Sequence, residues 1–141
     1  MPTPNNIVNL MMAKDYFSQW LGIEVLEITE GKCKLKMQIK KDMLNGFGIA
    51  HGGITYSFAD SALAFASNSY GKKAVSIETS ISHLVSLLEN DVITAEVFEQ
   101  SNSNKIAIYT VDVIKQATNQ KIAMFKGTVY KTDKNWFKIF S

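Results

Sequence analysis

The chain has 141 residues, 46% of them hydrophobic, and a formal net charge of +2. That length suits one globular domain with a core that needs no staples, and so small a charge argues for no nucleic-acid partner. All fifteen basic residues are lysines, which excludes bidentate guanidinium contacts to phosphate.

Residues 1–4 (MPTP) read as a loose end. They lack the basic flank and apolar run of a leader, and no stretch is long and apolar enough to span a bilayer. The expectation is a cytoplasmic protein without membrane contact. Ile7, Leu10, Met11, Phe17 and Leu21 recur at near-helical intervals and predict one N-terminal helix, with Gly22 as its C-terminal cap. Ile23 to Thr29 follows as a strand and Glu30-Gly31-Lys32 as a hairpin turn. From Lys32 to Lys40, polar residues alternate with Cys33, Leu35, Met37 and Ile39, giving a strand with one wet and one buried face. Cys33 is then a small core hydrophobe. A single cysteine forms no intrachain disulfide and fits a reducing compartment.

The rest of the chain is organised around Met43 to Gly71, where Asp60 is the only formally charged side chain. Gly53 to Tyr70 has helical spacing, with Ile54, Phe58, Ala62, Phe65 and Ala66 on one face. The opposite face carries Gly53, Tyr56, Ser57, Asp60, Leu63, Ala64 and Ser67, without lysine or glutamate, so the helix is expected to be covered all round. An acid so placed is either a satisfied structural group or a candidate for chemistry. Lys72 and Lys73 follow near the C-terminal end, where cations complement the helix dipole and could also meet a ligand phosphate.

Ala74 to Val85, Val92 to Glu99, Ile106 to Ile114 and Ile122 to Tyr130 are predicted strands, with polar turns at residues 101–104 and 118–120. The tail from Asn135 to Phe140 is apolar enough to dock on its own body or on a neighbouring subunit. One long apolar helix against a curved, mostly antiparallel sheet is an α+β arrangement in a single domain over residues 1–141, with 132–141 as a tail.

Met43-Leu44-Asn45-Gly46, His51-Gly52-Gly53, Phe58-Ala59-Asp60-Ser61-Ala62 and Asn68-Ser69 together resemble the signature of hot-dog-fold acyl-CoA thioesterases, nearest to the phenylacetate-degradation (PaaI-type) branch. The resemblance spans about residues 7 to 131. It implies a long helix wrapped by the sheet, and subunits paired into a homodimer with a continuous sheet, often then a homotetramer. It also implies hydrolysis of an acyl- or arylacyl-CoA to acid and free CoA, with no cofactor beyond the CoA of the substrate. Gly53 would point its backbone N–H at the thioester carbonyl, and Asp60 would be nucleophile or general base. Asn45 would help place water or the acid, and His51 would hold loop and substrate in register.

The physical reasons stand beside the resemblance. A helix N-terminus offers free N–H donors to a developing oxyanion, and a carboxylate must attack the carbonyl or deprotonate water. Asp60 lies seven residues past Gly53, about 10 Å along the axis, too far for both to reach one carbon. Two antiparallel helices related by a two-fold axis would close that gap, so an obligate dimer with two sites is expected.

Simpler roles exist for each residue. His51 suits a hydrogen-bonding strut, and Asn45 could merely shape the Asn45-Gly46 turn. Ser57, Ser61 and Ser67 have no histidine spaced to activate them. With two histidines and one cysteine, no zinc set has convincing spacing, and no metal is expected. Phe47, Ile49, Tyr56 and Leu63 suggest an apolar or aromatic acyl pocket. Where relatives carry an aromatic and then a Leu-Arg-Pro-like stretch, this chain has His83-Leu84-Val85-Ser86-Leu87-Leu88. His83 therefore changes the pocket wall or core there. The missing arginine leaves CoA phosphates to Lys72, Lys73 or Lys105, and motivates an alternative, a non-catalytic acyl-CoA binding protein on the same fold.

Overall fold

A computed structural model describes residues 2–137. Helix α1 (Pro4–Met12) opens on a capping box in which Thr3 and Asn6 exchange side-chain and backbone hydrogen bonds, with Pro4 in the first turn. Thr3 and Pro4, expected to be loose, are thus tied into the helix. The predicted single N-terminal helix is two. Asp15 starts the second, α2 (Tyr16–Leu21), by accepting the Ser18 amide proton, and Gly22 ends it in the left-handed region at φ 74°. A side chain that caps a helix interrupts the one before it, and hydrophobic spacing alone does not register that break.

Strands β1 (Glu24–Thr29) and β2 (Lys32–Gln38) form the expected hairpin. After a short 3-10 turn at Lys41–Met43 comes α3 (Gly52–Asn68), then β3 (Lys72–His83), β4 (Val92–Asn102), β5 (Ile106–Lys115) and β6 (Gln120–Asn135). The six strands make one sheet in the order β1-β2-β4-β5-β6-β3, every neighbouring pair antiparallel. Strand β3 leaves α3, crosses to the far edge and pairs with β6, so that Val75 faces Tyr130 and Ile81 faces Phe125. Among the described residues its other edge has no strand beside it, and Val75 and Ile77 on it are more than half exposed.

The sheet curves around α3. Phe58, Ala59, Ala62, Phe65 and Ala66 are fully buried against the inward side chains of β2, β4, β5 and β6, among them Leu35, Ile93, Val111 and Val129. At one point the packing has no slack: a Cβ on Gly127 of β6 would overlap the Leu63 side chain, so glycine is what lets the helix lie on the strand there. The predicted cover is incomplete. In the single chain Tyr56, Ser57, Asp60 and Ala64 are half-buried and Gly53 is exposed, because the sheet and the two short helices wrap only part of the circumference.

The tail docks on its own body as far as the structure describes it. Strand β6 runs on to Asn135, beyond the predicted Tyr130. Trp136 then donates its indole N–H to Asn68 Oδ1 at 2.8 Å and its backbone N–H to the Gly71 carbonyl. The rest of the predicted tail, Lys138, Ile139 and Phe140, lies outside the described residues.

Candidate active site

The loop before α3 is held by its own backbone. His51 donates its amide proton to the Met43 carbonyl at 2.9 Å, and Ala50 donates to Leu87 at 2.8 Å. Asn45 shapes the turn between: its Oδ1 accepts from the Phe47 amide at 2.9 Å and, more weakly, from Ile49 at 3.4 Å. The Asn45 Nδ2 has no partner among the described residues, so this side chain builds the loop with its oxygen and retains two free donors.

His51 is the N-cap of α3. Its Nδ1 accepts the Gly53 amide proton at 2.9 Å, which places the neutral ring's proton on Nε2. A side-chain oxygen is the usual cap; here an imidazole does that work. The Gly53 N–H, expected to face a substrate, is therefore engaged within the chain. The Gly52 N–H has no partner among the described residues. A Cβ on Gly52 would stand 3.2 Å from His83 Nε2, so the absence of a side chain leaves room for that ring at the helix start. Asn45, Ile49, Gly52 and His83 border one hollow, whose wall continues through Leu84 and Leu87. His51, Gly53 and Ser57 border a second with Phe17, Met43 and Ile54.

Asp60 sits two turns along α3 and borders a third hollow with Leu63, Ala64, Ser67, Ala74 and Ser76. Its carboxyl has no hydrogen-bond partner among the described residues. It is held above the ordinary carboxylate range, first by burial and then by the nearby negative charge of Asp15. The helix places Gly53 and Asp60 on one face but, at about 1.5 Å per residue, about 10 Å apart along its axis. They border different hollows, so one chain does not bring them together.

The other expected contacts divide. Phe47 is 89% exposed at the loop tip, and Ile49 is half-buried beside Asn45. Tyr56 is tied to the sheet, with its hydroxyl bonded to Thr79 and its ring edge-on to Phe125. Leu63 is 1% exposed and is chiefly a core residue against Gly127. Lys72 and Lys73 lie beyond the opposite end of the 17-residue helix, about 25 Å from its start, and the Lys73 ammonium rests 4.7 Å over the Trp136 ring. Among the described residues no three His, Cys, Asp or Glu side chains gather as metal ligands, and no helix is long and apolar enough to cross a membrane.

Two features around α3 leave no mark in the hydrophobic pattern. Of the Gly52-Gly53 pair, only the fold shows which amide the His51 ring takes. Asp15 stands where an N-cap acid can start a helix, a signal that the continuous apolar spacing from Ile7 to Leu21 hides.

Comparison with known proteins follows the same lines. A family model described as the thioesterase superfamily matches residues 47–122. An Archaeoglobus fulgidus protein described as an esterase is 39% identical over 129 residues, covering 92% of this chain and 83% of its own. The Escherichia coli acyl-coenzyme A thioesterase PaaI is 32% identical over 101 residues, 72% of each chain. The solved structure of the E. coli PaaI protein from the phenylacetic acid degradation operon superposes with a TM-score of 0.90 at 27% identity, covering 94% of this chain and 95% of that one.

Proposed function

Because this chain belongs to the thioesterase superfamily, on the PaaI-type hot-dog fold, we propose that it hydrolyses acyl- or arylacyl-CoA thioesters to the free acid and CoA. The observation that carries this reading is the open face of α3, where a raised, unpartnered carboxyl at Asp60 and an unpartnered amide at Gly52 await something outside the single chain.

That something is a second copy. The free edge of β3 offers unpaired backbone groups and exposed Val75 and Ile77, which a two-fold related β3 would cover as the sheet continues. Antiparallel central helices then set Asp60 of one subunit opposite the helix start of the other. At that helix start, the Gly52 N–H meets the developing oxyanion, supported by the helix dipole. Gly53 contributes close approach of main chain to substrate while its own N–H anchors the His51 ring. Asn45 uses its free amide to place water or the leaving acid, and Asp60 attacks the carbonyl or deprotonates water. The C–S bond breaks, the thiolate takes a proton, and a hydroxyl from water ends on the acid. Phe47, Ile49 and Tyr56 face the acyl side, and Lys72 and Lys73 serve the CoA phosphates.

The test is thiol release from a panel of CoA thioesters by the wild type, Asp60→Asn and Asp60→Ala. The expected loss is about 10²- to 10⁴-fold; undiminished turnover would remove Asp60 from the chemistry. Single turnover in heavy-oxygen water separates attack, which first labels Asp60, from base catalysis, which labels the product directly. Saturable acyl-CoA binding without release of thiol would favour the binding protein instead.

A further inference from the structure

The N-terminal helices do more than cover the core. Asp15 receives two hydrogen bonds from one residue: the Ser18 amide reaches Oδ1 at 2.9 Å and the Ser18 hydroxyl reaches Oδ2 at 2.7 Å. The Ser18 Oγ lies 2.8 Å from the Ser61 Oγ of α3, and both serines are buried. Ser18 has a single hydroxyl proton and it points to Asp15, so Ser61 must be the donor in the second bond. The result is a directed chain, Ser61 to Ser18 to Asp15, joining α3 to the start of α2. Ser61 immediately follows Asp60.

We propose that Asp15 is a positioning residue for the reaction: held by Ser18, and through it by Ser61, it fixes a second acid beside the stretch of α3 that carries Asp60. This rests on Asp60 being the reacting carboxylate. Two like charges disfavour joint ionisation, so a fixed acid nearby makes its neighbour hold a proton more tightly and act as a stronger base once ionised. The Asp60 carboxyl is raised by burial first and by Asp15 second.

Among the described residues of the single chain, Asp15 is the one charge that bears on Asp60. Tyr56 is the only other titratable residue on α3, and it is bonded to Thr79. Helix α1 has no titratable side chain, α2 has Tyr16, and the turn between them has Lys14 and Asp15, of which Asp15 is the one that bears on Asp60. Facing α3, the buried side of the sheet offers Cys33 and Tyr109. Burial pushes the Cys33 thiol up to about 12 and the Tyr109 phenol higher still, so both are neutral. The hollow beside Asp60 is lined by apolar residues and serines.

The experiment uses Asp15→Asn and Asp15→Ser, since both residues rank high as helix caps and preserve the start of α2. Carbon NMR of the carboxyl groups, with Asp60 assigned through Asp60→Asn, follows its titration in each folded variant. The pH profile of kcat/KM is recorded beside it. The expected result is a lower Asp60 midpoint in both variants, an acid limb displaced to lower pH by the same amount, and a reduced plateau above it. An Asp60 midpoint that stays put in both variants overturns the proposal. A midpoint that moves while the acid limb does not overturns its role in the reaction. Wild-type protein that cleaves no thioester while the midpoint moves removes the thioesterase reading and leaves the coupling standing.

Discussion

His51 caps the central helix through its ring, Nδ1 accepting the amide proton of Gly53 at 2.9 Å. Removing a cap costs about 0.5–2 kcal/mol. His51→Ala should therefore lower the melting temperature, and His51→Asn, whose Oδ1 can take the same amide proton, should restore most of it. Equal melting of the two variants would show that the imidazole is not the cap. Activity lost in His51→Ala but retained in His51→Asn would fix its role as a strut.

Asp60 should set stability and activity against each other. Its folded carboxyl is raised above the ordinary 3.8, by burial and then by Asp15. Between those two values the native state binds more protons than the unfolded chain, so stability falls as pH climbs through that window. Above the raised value the cost of the ionised group is complete; below 3.8 it is absent. Asp60→Asn should thus melt above the wild type at neutral pH, with the advantage shrinking as pH drops. Calorimetry across that range decides, and a variant that melts lower at every pH would contradict it.

Gly127 and Leu63 form a close contact that leaves no room for a methyl group. Overpacking of this kind costs about 1–3 kcal/mol. Gly127→Ala should be destabilised accordingly, and Leu63→Ala in the same chain should recover part of the loss. A double-mutant cycle from urea unfolding measures the coupling, and strict additivity would argue against the contact.

The β3 edge tests the cross-subunit site. Ile77→Lys or Val75→Lys puts charge on an exposed apolar strand edge. Sedimentation should show a shift from dimer, or tetramer, toward monomer, and thiol release should fall with it. A fully active monomer would defeat the two-copy arrangement.

Much of this was legible in the chain. Cys33, Leu35 and Met37 alternate with lysines and are the buried face of β2, and the stripe from Ile54 to Ala66 is the buried face of α3. These patterns are visible because burial on one side repeats with the period of the element. What failed to show was local hydrogen bonding that overrides spacing. Asp15 divides a continuous apolar pattern into two helices, and the His51 ring takes one amide of a Gly-Gly pair and leaves the other. Neither choice leaves a periodic trace. The uncovered side of α3 has another cause: a face without lysine or glutamate reads as covered, yet composition does not report how far the sheet and the short helices reach around the helix.

Asn68 clamps the far end of the central helix. Its oxygen accepts from the Ala74 amide at 2.9 Å and from the Trp136 indole, and its nitrogen donates to the Ala64 and Ala74 carbonyls. The helix start has fewer such ties, the His51 ring taking one amide there. Amide exchange should therefore be slowest around Ala64 to Asn68 and quicken toward Gly52, so that an arriving guest is accommodated by the mouth and never by the anchorage.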